Sequence, residues 1–256
     1  MQKQLAIVLA AGKGTRMKSE LPKVLVPVSG RPMVHYVLDA LEQAGVAETL
    51  VVVGYRAELV REELKRRREI TFVDQPEQLG TGHAVMVCRE HLAQHNGPVL
   101  VVAGDSPLLQ PQSLKKLFAE FAERRPACLL GTGHKADPHG LGRIVRNGQG
   151  DFQAIVEEKD ATPEQRRITE VNMSCYLFNA ADLLEALGQL RAENSQREYY
   201  ITDAPGLLKA AGKDVRALPV LLPCEVLSIN TVDELGVVEE AMQQIRAGTP
   251  PASVGR

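Results

Sequence analysis

The sequence predicts an α/β fold: a mostly parallel mixed sheet flanked by helices, with a β-rich insertion after about residue 133. Three observations predict it. Short apolar runs of strand length alternate with amphipathic runs of helix length through the first half, which is the rhythm of βαβ units. Those short runs are mostly apolar, as strands covered on both faces are. After Gly133 the rhythm gives way to period-two alternation around Asn147-Gly148, a hairpin signal.

Each element follows in order. Leu5–Leu9 is a buried strand, five apolar residues running toward a glycine-bearing loop. Pro32–Gln43 is a helix whose proline sits near the first turn, where a missing N–H is tolerated. Thr49–Val53 is a strand, Ala57–Arg67 a helix and Ile70–Val73 a strand. A helix from about Thr81 to Leu92, a strand at Val99–Ala103, a helix at Gln112–Glu123 and a strand at Ala127–Leu130 continue the series. Gly140–Arg146, Phe152–Glu157 and Val171–Phe178 alternate like strands, and Ala180–Leu190, Asp203–Ala211 and Val232–Ile245 are helical in pattern. With no internal repeat and no linker, residues 1–247 are expected to be one domain and 248–256, rich in Pro, Gly and small residues, a disordered tail.

Composition narrows the function classes. The 256 residues carry a net charge of −2, which excludes a chain built around electrostatic nucleic-acid binding. Tryptophan is absent and aromatics make up 4%, so stacking platforms for single strands are not expected either. The basic run Lys65–Arg68 is flanked by Glu62, Glu63 and Glu69 and reads as a solvated helix face. No apolar run reaches membrane length, and the opening run Leu5–Ala11 ends at Gly12 without a signal-peptide flank. A cytoplasmic protein with neither membrane nor nucleic-acid partners is expected. Cys88, Cys128, Cys175 and Cys224 stand far apart among apolar neighbours, as reduced packing residues do.

In open parallel sheets ligands bind where loops leave the carboxyl ends of strands. The first such loop runs Leu9-Ala10-Ala11-Gly12-Lys13-Gly14-Thr15-Arg16-Met17, followed by Leu21-Pro22-Lys23. Its small residues let backbone N–H groups approach an anion, and Arg16 and Lys23 bring two cations. It is neither a Rossmann fingerprint nor a P-loop: both would need glycine where Met17 stands. The strand at Val99–Ala103 ends in Gly104-Asp105, which puts one carboxylate at the same edge. Asp105 suits Mg²⁺, a hard cation that takes one or two protein oxygens beside substrate phosphates; it suits a turn cap equally well. His91 and His95 gain no third ligand in sequence, and no GxSxG occurs. A phosphate cradle, two cations and a metal carboxylate fit nucleotidyl transfer, where the attacking phosphate oxygen is already anionic and catalysis is charge neutralisation and positioning.

These residues resemble sugar-nucleotide pyrophosphorylases. Leu9-Ala10-Ala11-Gly12-x-Gly14-Thr15-Arg16-Met17 with Leu21-Pro22-Lys23 is similar to the family signature, and Gln75-x-x-Gln78-Leu79-Gly80-Thr81-Gly82-His83-Ala84 to the uridine-reading segment of N-acetylglucosamine-1-phosphate uridylyltransferases. Gly104-Asp105, Gly142-Arg143-Ile144, Ile155-Val156-Glu157-x-Lys159-Asp160-Ala161 and Glu198-Tyr199-Tyr200-x-Thr202-Asp203 follow in family order, resembling the N-terminal half of the bacterial bifunctional enzyme from about Leu5 to Ile245. The resemblance implies a Rossmann-like nucleotidyltransferase fold and Mg²⁺-dependent transfer from UTP to N-acetylglucosamine 1-phosphate. It implies that Arg16 and Lys23 are catalytic, that Leu9, Ala10, Ala11, Gly12, Gly14, Gln75, Gln78, Gly80 and Thr81 bind nucleotide, and that Gly142, Glu157, Asn172, Tyr200 and Thr202 bind the sugar phosphate. Asp105 and Asn230 would hold the metal.

Three departures from the family pattern lie at the sugar or metal side: Ala103 for a common Tyr, Met173-Ser174 for Thr-Gly, and Ile229-Asn230-Thr231-Val232 for Val-Asn-Asp/Asn-Arg. Another hexose 1-phosphate, such as glucose 1-phosphate, therefore stays open as the substrate, as does a non-catalytic nucleotide-sugar sensor. The Gln78–His83 string speaks against the related cytidylyltransferases. The bifunctional relatives continue into hexapeptide repeats that this sequence does not contain, so uridylyl transfer without acetyl transfer is expected, as a monomer or a small homo-oligomer.

Overall fold

The computed structural model describes residues 3–14, 17, 19–229 and 231–247. The expected tail, 248–256, lies outside the described residues. The first half is built from β1 (Leu5–Ala10), the short hairpin β2 (Pro27–Val28) and β3 (Arg31–Pro32), α1 (Met33–Ala44), β4 (Glu48–Val53), α2 (Ala57–Leu64), β5 (Ile70–Asp74), α3 (Thr81–Met86), α4 (Arg89–Ala93), β6 (Pro98–Ala103), α5 (Pro111–Arg124) and β7 (Cys128–His134). There follow β8 (Gly142–Arg146), β9 (Phe152–Val156), β10 (Glu170–Asn179), α6 (Ala180–Gln189), α7 (Asp203–Ala210), β11 (Val215–Leu218) and α8 (Val232–Arg246).

The main sheet has nine strands among the described residues, in the order β11-β7-β10-β6-β1-β4-β5, with the β8–β9 hairpin attached to β10. β1 runs parallel to β4 and β6, β4 to β5, and β7 to β11. The α/β sheet covered on both faces is thus present. On one face Ala6, Val8, Val51 and Val102 pack with α1, α2 and α5 residues such as Val34, Val60 and Leu114. On the other, Leu5, Ile7, Val52 and Val101 pack with Val85, Leu92, Leu183 and Leu208 of α3, α4, α6 and α7. A third cluster joins α8 (Val238, Met242) to Val28, Met33 and Leu108. No described helix is long and apolar enough to cross a membrane.

The structure differs from expectation at five places. β10 belongs not to an insertion but to the centre of the sheet, antiparallel between β6 and β7; only β8 and β9 stand off the main path. The helix expected over Thr81–Leu92 breaks at Val87-Cys88, which lets Val85, Cys88 and Leu92 all be buried. The β8–β9 turn closes over Asn147–Asp151, where the Asn147 carboxamide accepts from the Gln149 and Asp151 N–H groups at 3.0 and 2.9 Å, and the positive φ falls on Gly150. Arg67 is not solvated: its guanidinium folds back to Asp39 at 2.6 Å, and α2 stops at Leu64. β11 and the β2–β3 hairpin carry no pattern long enough to be read beforehand.

Candidate active site

Register brings the predicted residues to one edge. Ala10 pairs with Val53, Val53 with Asp74, and Leu9 with Ala103, so Ala11, Gly54, Gln75 and Gly104 all follow strand ends at the carboxyl edge of the parallel strands. β10 runs the other way and Cys175 pairs with Val102, which carries Asn172–Ser174 past Ala103 to that same edge.

At the centre, the first loop doubles back on itself. The Lys23 N–H donates to Gly12 O at 3.3 Å and the Met17 N–H to Gly14 O at 2.9 Å. Gly14 has φ +66°, and a Cβ there would lie 2.7 Å from Lys23 Cβ, so glycine is required for this crossing. Met17, the residue that spoils both phosphate fingerprints, is buried with Val28, Met33 and Leu108 and pins the loop to the third cluster. Lys23 opens a 3₁₀ turn held by the buried Val24 and Leu25, and its Nζ lies 2.5 Å from Asp105 Oδ2. The side chains are 19% and 24% exposed, so the pair faces the edge without being lost to solvent. Asp105 is an accessible oxygen donor. Among the described residues no three His, Cys, Asp or Glu side chains gather as a metal cage. A single carboxylate fits a hard divalent ion that shares its shell with substrate phosphates and water.

To one side lies the Gln75–Thr81 segment. Gln75 is buried, and its Nε2 donates to Gly80 O at 3.0 Å and lies 3.1 Å from His83 Nδ1. Both amide N–H groups are engaged, so what Gln75 has to offer a ligand is its carbonyl oxygen. Gln78 Nε2 donates to Gln75 O at 3.2 Å. The segment is zipped to the chain before α7: Tyr199 N–H to Leu79 O at 2.8 Å, Gly82 N–H to Tyr199 O at 2.6 Å, and Ile201 N–H to Thr81 Oγ1 at 3.1 Å.

On the other side, Gly142, Glu157 and Asn172 converge. Gly142 pairs with Asn172 in the sheet, and a Cβ on Gly142 would lie 3.4 Å from Asn172 Cβ and 3.5 Å from Glu157 Oε1. Burial holds the Glu157 carboxyl above its ordinary range, Asp203 and Asp160 add to this, and a hydrogen bond from Thr202 opposes it. The Tyr200 hydroxyl is pushed up to about 12, first by burial and then by Glu198, Asp160, Glu157 and Asp203. This end is therefore lined by carboxylates, which accept hydrogen bonds from sugar hydroxyls and repel phosphate. Lys23 supplies the opposite charge at the centre.

Comparison with known proteins gives the family. Residues 6–205 match the model of the MobA-like NTP transferase domain. The chain belongs to the MobA-like NTP transferase family. It is similar to the bifunctional protein GlmU of Enterococcus faecalis, 42% identical over 244 residues that cover 95% of this chain and 53% of that one. It is also similar to the GlmU of Geotalea daltonii, 43% identical over 90% of this chain and 50% of that one. The chain spans about half the length of the curated relatives it matches, and corresponds to their N-terminal half. A UDP-glucose pyrophosphorylase complexed with UDP-glucose shares the fold, with a TM-score of 0.75 at 18% identity over 96% of this chain and all of that one.

In this NTP transferase, two of the expected residues, Arg16 and Asn230, lie outside the described residues. The structure brings the other expected residues to the edge in three groups: Leu9–Gly14 with Lys23 and Asp105, Gln75–Thr81, and Gly142, Glu157 and Asn172 with Tyr200 and Thr202. It adds Gly54, where a Cβ would lie 2.8 Å from Gln78 Nε2, 2.9 Å from Ala11 Cβ and 3.0 Å from Gln75 O. It adds Gly104 too, whose N–H donates to Leu9 O at 3.0 Å and whose Cβ would meet that oxygen at 2.9 Å. Their signal was present: each glycine directly follows an apolar strand of the parallel set.

Proposed function

We propose that this NTP transferase moves the uridylyl group of UTP onto N-acetylglucosamine 1-phosphate, with Mg²⁺, giving UDP-N-acetylglucosamine and pyrophosphate. The observation that carries the reading is the division of one sheet edge into the Lys23–Asp105 ion pair at the centre and an acid-lined end at Glu157, with Gln75 opposite. The names of the GlmU relatives support it, as does the order in which this sequence carries the family's motifs. The family works with divalent cations in general; that the ion is Mg²⁺ is part of the proposal. The reading takes residues 1–247 as one domain and, since both substrates are soluble phosphates, a cytoplasmic location.

In this reading Leu9, Ala10, Ala11, Gly12, Gly14, Gln78, Gly80 and Thr81 form the nucleotide side. Gln75 offers its carbonyl oxygen to the N3–H of uracil, a donor that cytosine lacks, which explains a preference for UTP over CTP. Gly142 leaves room for the sugar, Glu157 and Asn172 hydrogen-bond it, Thr202 aims the Glu157 carboxylate, and Tyr200 closes that end. Lys23 and Arg16 hold the phosphates and balance the charge that builds as the sugar phosphate oxygen attacks the α-phosphorus. Asp105 and Asn230 would hold the cation, which supplies further neutralisation of the departing pyrophosphate. No general base is needed, because the nucleophile is an anion already.

A second reading, the same transfer onto another hexose 1-phosphate, rests on Ser174. It occupies φ +51°, in the left-handed region that favours glycine, and so places a side chain at the sugar end where glycine would leave none. Pyrophosphate release with Mg²⁺ and UTP against N-acetylglucosamine, glucosamine, glucose and N-acetylgalactosamine 1-phosphates separates the two. The first sugar is expected to win, and preference for another would transfer the explanation to Met173 and Ser174. Silence across the panel from a folded protein that still binds UDP-sugar would make it a sensor.

A further inference from the structure

Beneath the sugar end lies a charged pair for which the proposed reaction has no use. Arg143 follows Gly142 in β8 and is 1% exposed. Its Nη2 donates to Glu158 Oε2 at 2.7 Å and to Arg166 O at 3.4 Å, its Nη1 donates to Leu141 O, and its Nε is buried without a partner. Glu158 follows Glu157; its carboxylate also accepts from the Gly140 N–H at 3.2 Å and lies 3.7 Å from Arg166 Nε. Each member of the pair is thus one residue from a residue of the sugar pocket. Arg143 in turn pairs with Val156, the residue before Glu157, and with Val171, the residue before Asn172.

Arg143 is buried but the Glu158 side chain is 23% exposed, and a pair open to solvent on one side adds little to stability. An unpartnered N–H reduces that further. What such a pair does supply is fixed geometry. Here one guanidinium ties the entry to β8, the turn after β9 and the carbonyl of Arg166 to a single planar fork. We propose that Arg143 and Glu158 are positioning residues for the sugar phosphate, setting the spacing of Gly142, Glu157 and Asn172 and leaving the nucleotide side untouched. This inference rests on the function proposed above.

The test uses three variants of the full chain: Glu158→Gln, Arg143→Lys, which keeps the charge and loses the fork, and the double variant Arg143→Met/Glu158→Gln. In each, the KM for N-acetylglucosamine 1-phosphate is expected to rise about tenfold while the KM for UTP stays within about twofold. The double variant, which removes the buried charge together with its partner, is expected to keep its Tm, so that stability and sugar affinity separate. If both KM values rise together, or if Tm falls with neither KM moving, the pair is structural and the proposal is overturned. A wild-type protein silent with every sugar 1-phosphate defeats the functional reading instead. Calorimetry then decides the pair: weaker binding of UDP-N-acetylglucosamine with unchanged binding of UTP supports it, and equal loss, or no binding of either by wild type, overturns it.

Discussion

Gly80→Ala tests whether the base end and the sugar end of the site move as one. Gly80 has φ +105° and ψ 176°, a region essentially confined to glycine, so alanine there is strained by about 1–3 kcal/mol. Its Cβ would also lie 2.6 Å from Tyr199 O and 2.8 Å from Glu198 Cβ, neither of which is a flexible side-chain end. Residues 198–199 must retreat by about half an ångström, since packed interiors leave no slack. That retreat strains the Tyr199–Leu79 and Gly82–Tyr199 hydrogen bonds, at about 1 kcal/mol each. The sum, about 3–5 kcal/mol, corresponds to a Tm loss of roughly 6–20 °C for a domain of this size. Because Ile201 hangs from Thr81 and Thr202 holds Glu157, the KM for UTP and the KM for the sugar phosphate should both rise. Thermal unfolding by circular dichroism and initial rates of pyrophosphate release measure the two effects. A variant whose Tm stays within about 2 °C of wild type, or in which only one KM moves, would refute the reasoning.

Other expectations follow from the same geometry. Lys23→Ala and Asp105→Ala should each lower kcat by about a hundredfold or more while the circular dichroism spectrum is unchanged; wild-type turnover in a folded Asp105→Ala protein would remove its metal role. Burial holds the Glu157 carboxyl above its ordinary value, and only its charged form can accept hydrogen bonds through both oxygens. Sugar phosphate affinity should therefore fall on acidification at a pH above the usual carboxylate range, and a Glu157→Gln variant with the same pH profile of KM would assign the loss elsewhere. Ser174→Gly removes a side chain from a left-handed position and should stabilise the fold by about 1 kcal/mol. It should also change the ratio of kcat/KM between N-acetylglucosamine and glucose 1-phosphates; an unchanged ratio would clear Ser174 of any part in sugar choice.

Strands β1, β4, β5 and β6 were legible because each is an apolar run too short for a helix and bounded by turn residues. The Lys23–Asp105 centre was legible for the same reason: a loop that leaves such a strand arrives at a known edge, and both residues lie on loops of that kind. Glu157 and Asn172 were not legible from physical pattern. Each is a single polar residue near the end of an alternating strand, indistinguishable from a solvated one, and only the resemblance marked them. The break at Val87-Cys88 was hidden because both halves keep a helical period. The Arg143–Glu158 pair was hidden because a buried arginine leaves no trace in a strand that also carries Arg146.

β10 explains how one sheet edge comes to hold opposite charges. A purely parallel sheet would have left only loops that follow strands at that edge, those after β1, β4, β5, β6, β7 and β11. β10 enters antiparallel beside β6 and so begins where they end. Its pairing with β7 then slips: Asn172 stands opposite Thr132 but Tyr176 opposite Leu130, four residues of β10 against two of β7. The surplus bulges at Met173-Ser174, where Ser174 takes its left-handed turn and donates its N–H to the Asn172 side chain at 3.2 Å. Asn172 is fixed by that bond at the start of the bulge, beside the hairpin that brings Gly142 and Glu157. β8 pairs with Val171 and Asn172 on the edge of β10 opposite β7, the edge that β6 takes from Cys175 onward, so Glu157 reaches the site from the hairpin on the same side of β10 as β6. Lys23 is held by Asp105 at 2.5 Å and Glu157 by its hydrogen bond from Thr202, so the two charges of the edge keep separate partners, one to meet phosphate and the other hydroxyls.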